Sequence, residues 1–329
     1  MGGRTFSGIC VVALVAIISA IESPSRLNAQ QHPAAPPAVE SIEIRPNVHV
    51  IFGGGGNIVM HLGEEGVILV DSGSAAMADQ VLAEIRRITR QPIRLIINTS
   101  ADPDHIGGNE RIAREGVNLN NNAFNAGGAG VLAHENVLNR VSAPTGQTAP
   151  FPVAVWPTET YISKVKSMYV NDEGVQVIHH AAAHSDGDSI VFFRRADVVV
   201  TGDILDLRRF PVIDSAIGGS LQGELDALND LLVLAIPAMP FIYKEGRTFL
   251  VPGHGRIADH AELVEYRDMV TTIRDRIKSM VDKGLTLAQV KAANPTQGYR
   301  ARYGSDSGPW TTDMFVEAVF TSLTASRKS

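Results

Sequence analysis

Four apolar runs in this chain end in short polar clusters dominated by aspartate, histidine and glycine. They are Ser100-Ala101-Asp102-Pro103-Asp104-His105, His184-Ser185-Asp186-Gly187-Asp188, Gly202-Asp203 and Pro252-Gly253-His254-Gly255. Imidazole and carboxylate are the usual ligands of zinc and its first-row neighbours. Donors at four strand ends can converge on one point, whereas one helix face cannot supply them all. The chain must therefore fold as layered sheets that bring distant strand ends to a common edge.

The pattern around these clusters agrees. Val48 to Phe52, Asn57 to Leu62 and Val67 to Val70 read as strands separated by Gly53–Gly56 and Gly63–Gly66. Met77, Val81, Leu82, Ile85 and Ile88 follow at helical spacing, and Ile93 to Ile97 reads as the next strand. Residues 117–130 are Asn- and Gly-rich and read as a loop near the polar clusters, its Asn118 to Asn125 part expected to fold over them. Val175 to Ile178, Ser189 to Phe193, Val198 to Val200 and Thr248 to Val251 read as strands, and Leu221 to Ala235 as a helix. Leu263, Tyr266, Val270, Ile273, Ile277 and Met280 mark a long helix that Gly284 stops. Strands and helices alternate irregularly, which implies an α+β fold of two sheets with helices outside, rather than one doubly wound sheet.

At the N-terminus, Arg4 precedes an apolar stretch from Ile9 to Ala20 and a polar, Pro-rich segment from Glu22 to Pro37. A basic start, a short apolar core and a small-residue exit read as a signal peptide over 1–29, cleaved at Ala29, with Ala20 the second choice. The alternative is an uncleaved anchor, but the run is short beside the roughly 20 residues a spanning helix needs. Residues 30–40 read as a disordered linker and 41–329 as the folded domain, with a helical cap from about 285. Cys10 is the only cysteine. It falls in the leader, so disulfide and thiolate chemistry are excluded from the mature chain, which suits a periplasmic or secreted protein. Net charge is −6 with both signs scattered. No basic run points to nucleic acid, and no stable membrane insertion is expected once the leader is removed. The expected partner is a small-molecule substrate, and the oligomeric state is not readable.

From about Ser41 to Gly255 the chain resembles the metallo-β-lactamase superfamily. The resemblance rests on Gly55-Gly56-Asn57, Val70-Asp71-Ser72-Gly73, Asn98-Thr99, Asp104-His105 with Gly107-Gly108-Asn109, His184 with its Asp-Gly-Asp sequel, Thr201-Gly202-Asp203 and Pro252-Gly253-His254-Gly255, all in the family's order. It implies a four-layer αββα sandwich with metals at one edge of the sheets. It also implies Asp71 as a support behind the metal ligands, and Asp203 as the bridging carboxylate of glyoxalase-II-like members.

The family's metal loop reads His-x-His-x-Asp-His, whereas here it reads Ser100-x-Asp102-x-Asp104-His105. By resemblance, Asp104, His105 and His254 form a complete site. The other retains His184, Asp203 and Asp102, with Ser100 in place of a histidine. Losing nitrogen donors weakens that first site and shifts its preference from zinc toward manganese or magnesium. The expectation is one firmly bound zinc and a second, weaker ion. His179 and His180 lie close enough in sequence to lend a ring, but read better as ordinary histidines. Ser100 has no base to make it a nucleophile.

The function implied is an exported metal-dependent hydrolase acting on an ester, thioester or amide (lactams included). Asp104, Asp203 and Asp102 are its candidate catalytic carboxylates. The alternative is a catalytically reduced metal- or ligand-binding protein that keeps the fold. Retention of Asp104, His105, Asp203 and His254 together argues against it. Persulfide-oxidising relatives need the two missing histidines, and nuclease relatives need basic surfaces that are absent.

Overall fold

Short strands separated by glycine and acidic turns build β1 (Glu40–Arg45), β2 (Val48–Gly54), β3 (Gly56–Gly63) and β4 (Gly66–Val70). Next come helix α1 (Ala78–Ile88), β5 (Ile93–Ile97), two short helices α2 (Pro103–Ile106) and α3 (Asn109–Ala113), β6 (Gly130–His134), α4 (Glu135–Val141) and β7 (Glu159–Tyr161). The second half contains β8 (Val165–Val170), β9 (Glu173–His180), β10 (Asp188–Phe193), β11 (Val198–Asp206), α5 (Leu221–Leu234) and β12 (Phe249–His254). It closes with α6 (His260–Asp282), α7 (Leu287–Ala292), α8 (Arg300–Tyr303) and α9 (Thr312–Ala325). The computed structural model describes residues 1–2, 38–119, 127–239 and 246–325. The expected leader after its first two residues, Cys10 within it, most of the 30–40 linker and residues 120–126 of the Asn-rich loop lie outside the described residues. Pro37–Ser329 forms one compact unit.

Among the described residues the strands make two sheets, ordered β1-β2-β3-β4-β5-β6-β7 and β12-β11-β10-β9-β8. In the first, β1 to β4 pair antiparallel and β4 to β7 parallel. In the second, only β11 and β12 are parallel. Strands covered on both faces are apolar, as β4 is throughout and β6 is up to its last residue, His134, each buried along its whole length. Val50, Val59, Ile68, Val70 and Ile97 of the first sheet meet Val175, Val177, Val191, Phe193 and Val200 of the second in a shared core. On the outer face of the first sheet, α1 buries Val81, Leu82 and Ile85. On that of the second, α5, α6 and α9 bury Leu228, Tyr266, Ile273 and Phe315. This is the αββα sandwich, with the C-terminal helices packed on α5 and α6.

Several expected boundaries move. Glu40, placed in the linker, begins β1. The 117–130 loop ends in β6, whose five buried residues are too few to stand out beside an Asn/Gly-rich stretch. The strand expected to stop at Val200 continues to Asp206, so Asp203 sits inside β11 rather than after it. Gly202 makes this possible: its φ is +53°, and a Cβ there would stand 2.8 Å from Thr99 Oγ1. The register against β12 shifts on both sides of it, a bulge that re-aims the next side chain.

Helix α5 carries a buried acid. Glu224 is fully buried, and neither carboxyl oxygen has a hydrogen-bond partner among the described residues. Burial, reinforced by Asp188, raises its pKa well above the ordinary value, against a smaller opposing pull from His184. The folded chain holds this proton after the unfolded chain has released it near pH 4.5. Glu224 therefore favours folding below that pH, and its contribution is lost as pH rises toward the folded pKa, by up to about 1.4 kcal/mol per pH unit. Glu224→Gln should flatten this decline. Urea unfolding at pH 5, 6.5 and 8, at matched metal content, checks it, and equal slopes in both proteins would refute the assignment.

Candidate metal centre

The donors gather where the carboxyl ends of β4, β5, β11 and β12 meet. Asp71 follows β4 with φ +63°, a left-handed conformation that aspartate tolerates better than most residues. Its Oδ1 accepts from Thr99 N at 2.8 Å and its Oδ2 from Thr99 Oγ1 at 2.7 Å. Oδ2 also accepts from Nδ1 of His105 at 2.7 Å. That bond commits Nδ1 as donor and turns Nε2 inward, the orienting arrangement found behind metal-bound histidines. Asn57 fixes the opposite wall, donating from Nδ2 to the carbonyls of Pro252 and Gly255, both at 2.9 Å. Thr99 O accepts from Ser189 N at 2.8 Å, tying the two sheets together at this edge.

Two groups of three donors result, Asp104 with His105 and His254, and Asp102 with His184 and Asp203. His254 Nε2 lies 3.0 Å from Asp104 Oδ2, and His184 Nε2 lies 3.3 Å from Asp102 Oδ2. Asp203 Oδ1 stands between the groups, 3.3 Å from His105 Nε2 and 3.6 Å from His254 Nε2. Gly253 is what lets it sit there, since a Cβ would fall 2.2 Å from that oxygen. His184 donates from Nδ1 to Val212 O at 2.8 Å, leaving Nε2 to face the carboxylates. His105 Nε2, His184 Nε2 and Asp203 Oδ1 are buried without hydrogen-bond partners among the described residues. Three such atoms converging is costly unless something else satisfies them, and their chemistry fits a divalent cation.

The electrostatics point the same way. Burial alone would depress the pKa of His105, but the carboxylates of Asp71 and Asp203 outweigh it and hold it well above 6.5. His184 behaves alike: burial is overcome by Asp102 and Asp188, and its pKa is pushed up to about 10. Burial works against ionised Asp203, yet the neighbouring His105, His254 and His184 hold it far below its ordinary value. A proton and a metal ion compete for the same lone pairs, so cation binding here releases protons.

All six residues expected as ligands are brought together. Ser100, read only as a lost ligand, donates from Oγ to Asp102 Oδ2 at 2.7 Å and accepts from Asp102 N at 3.2 Å. It holds the short carboxylate in place, and that bond commits its hydrogen. His179 and His180 join neither group. His179 stacks on His134 with ring centroids 3.4 Å apart and bonds to Asp186 O, while His180 faces Asp230. Sequence reading missed Asp206 and Arg208 beside the site, and gave no role to Asp188, whose burial raises it to about 7. A cavity of about 1300 Å³ lined by Arg45, His61, Asn171 and Arg195 touches none of the donors.

A family model described as the metallo-beta-lactamase superfamily matches residues 51–254. The linear primary-alkylsulfatase of Pseudomonas sp. is 22% identical over 286 residues, covering 73% of this chain and 52% of that protein. The sec-alkylsulfatase Pisa1 from Pseudomonas sp. superposes with a TM-score of 0.61 at 14% identity, over 86% of this chain and 50% of that one. A double mutant of it gives 0.65 at 15% identity, with the same coverage. A metallo-beta-lactamase from Pontibacter korlensis gives 0.54 at 17% identity, over 71% and 99%. These structural likenesses are of fold. The chain spans about half the length of the alkylsulfatases it matches.

Asp71→Asn should keep the left-handed backbone, which asparagine accepts, while removing the charge behind His105. Metal affinity should fall by about 10- to 100-fold. Competition against a chromogenic chelator measures this, and an unchanged affinity would show that Asp71 is only a turn residue.

Proposed function

The chain belongs to the metallo-beta-lactamase superfamily, and on that premise we propose that it hydrolyses an ester, thioester or amide bond, lactams and sulfate esters included. Metal-dependent hydrolysis in general is what its relatives support. The observation that carries the reading is Asp203 Oδ1, which belongs to one three-donor group and lies 3.3 and 3.6 Å from the imidazole nitrogens of the other.

Asp104, His105 and His254 would hold the tighter cation, zinc by their nitrogen content, and Asp102, His184 and Asp203 a weaker one, with manganese or magnesium as options. A divalent cation there would lower the pKa of bound water to about 7 and polarise the bond under attack. The chain's own residues do the remaining work. Asp102 and Asp104 are the open carboxylates, with side chains 27% and 39% exposed, against 11% for Asp203. They are placed to orient water and accept its proton. Ser100 fixes Asp102 for that role. His105, held from behind by Asp71, and Asp203, seated in the space that Gly253 leaves open, form the floor of the site. Asp203 in the bridging position suits a glyoxalase-II-like arrangement.

The basic start, apolar core and Ala29 exit of residues 1–29 support export to the periplasm or medium, with a linker after them and the catalytic domain beginning at β1 with Glu40. No helix among the described residues is long and apolar enough to cross a membrane.

Metal content of protein purified without added metal, read beside hydrolysis of an ester, a thioester, nitrocefin and an alkyl sulfate, tests the proposal. Stoichiometry near one or above with turnover is expected, and Asp104→Ala or His254→Ala should abolish both. Activity surviving either change would refute the assignment. The double change Ser100→His with Asp102→His should raise zinc content toward two, and no rise would mean the loop is wrongly aligned.

A further inference from the structure

Each sheet ends in two edge strands, and among the described residues three of the four edges are blocked. β1 breaks its register with β2 between Glu43 and Arg45, and it sets Glu40 and Glu43 in solvent. β7 is only three residues long. β12 carries Pro252, and its Leu250 already exchanges both backbone bonds with Ala258. Charges, irregular register, short length, proline and cover are the usual means of keeping an edge from adding another strand. β8 lacks them. It runs for six residues in unbroken register with β9 and contains neither proline nor glycine. Its one charged residue, Lys166, lies 2.8 Å from Glu159, and Lys164 just before the strand lies 3.5 Å from Asp230. Both charges are thus answered within the chain.

The direction of the free bonds follows from the ladder. β8 and β9 join through a two-residue turn, Asn171-Asp172, with φ +56° and +57°. His179 N donates to Lys164 O at 2.8 Å. Antiparallel ladders alternate between bonded and unbonded pairs. Residues 164, 166, 168 and 170 therefore bond to β9, and the N–H and C=O groups of Val165, Ser167 and Tyr169 face the open edge. Only the Ser163 hydroxyl meets one of them, Val165 O, at 2.9 Å. Val165 and Tyr169 are also 40% and 71% exposed, whereas Met168 and Val170 pack between the sheets.

This edge is complementary to itself. Antiparallel pairing about a twofold axis at Ser167 sets Val165 of each copy against Tyr169 of the other, and Ser167 against Ser167. All three outward-facing residues then meet outward-facing residues, so every free N–H and C=O finds a partner. A β-branched residue facing an aromatic one stabilises such a pair. Lys166 falls opposite Met168 and Lys164 opposite Val170, so no like charges confront each other. We propose that β8 is a dimerisation edge, where a second copy of this chain pairs β8 to β8 and joins two five-stranded sheets into one. β8 contributes no donor to the metal centre, so the proposal stands apart from the hydrolase reading.

Sedimentation velocity of the full chain tests it. A single-strand interface is small, so a Kd of about 1–100 μM is expected, with the mass rising from one chain to two across that range. Ser167→Pro removes an N–H that only the pairing uses, at an edge position that accepts proline. The twofold axis makes the change count twice, so the Kd should rise at least about tenfold. Ser167→Asp sets two like charges directly opposite and should weaken the dimer as well, whereas Ser167→Thr should keep it. Circular dichroism confirms that the variants are folded, and their metal content should match the native protein's. A native chain that stays monomeric up to about 300 μM, well above the Kd expected for a small interface, overturns the proposal. So does a Kd that moves in neither Ser167→Pro nor Ser167→Asp, and so does growth beyond two chains, since one closed pairing leaves β8 no free edge. In a Cys10→Ser background, a short bismaleimide should join Ser167→Cys to its copy and leave Ile42→Cys on β1 unjoined. Joining at Ile42→Cys alone would assign the contact to β1 and overturn the proposal.

Discussion

One contact sets the geometry of the rest: the Asp71 carboxylate against His105 Nδ1 at 2.7 Å, both side chains almost wholly removed from water. It forms because β4 and β5 are parallel neighbours, so the residues leaving their carboxyl ends emerge side by side. Thr99, the second residue after β5, saturates the same carboxylate with two further donors. An acid so engaged cannot rotate, and neither can the ring it holds. With His105 fixed, its Nε2 defines where Asp203 belongs, and the bulge at Gly202 delivers Asp203 there.

Much of this was legible in the sequence wherever the signal was local. The runs at β2, β3, β5, β10 and β12 are apolar and bounded by turn residues, and α1 and α6 repeat their apolar positions every three or four residues. The polar clusters after apolar strands narrowed the donors to a few segments, and the resemblance to the metallo-β-lactamase superfamily picked the six out from neighbours such as Asp186 and Asp188. What escaped depended on tertiary contacts. β6 is a five-residue run beside an Asn/Gly-rich stretch, and β8 alternates between exposed and half-buried positions without a strong apolar face. Glu224 looks like any helical glutamate. Its burial follows from Gly223, whose missing side chain lets α5 lie against the Ala182 carbonyl. The Asp206–Arg208 pair was hidden because the strand was expected to end at Val200.

The substituted metal loop shows how a lost ligand can become a different kind of asset. Aspartate is too short to replace a histidine by reach alone, and serine too weak to replace one by basicity. Side by side they form a hydrogen-bonded unit, Ser100 Oγ to Asp102 Oδ2, that presents a carboxylate to His184. Residue types that look degraded one at a time are coherent as a pair.

The donors are divided evenly between the sheets. Asp102, Asp104 and His105 follow β5 of the first, whereas His184, Asp203 and His254 belong to the second. A half-assembled sandwich therefore offers only part of the set, and the centre comes into being when the two halves close on each other. Cation affinity at this centre is thereby coupled to the docking of the two sheets, because neither half alone carries the full donor set.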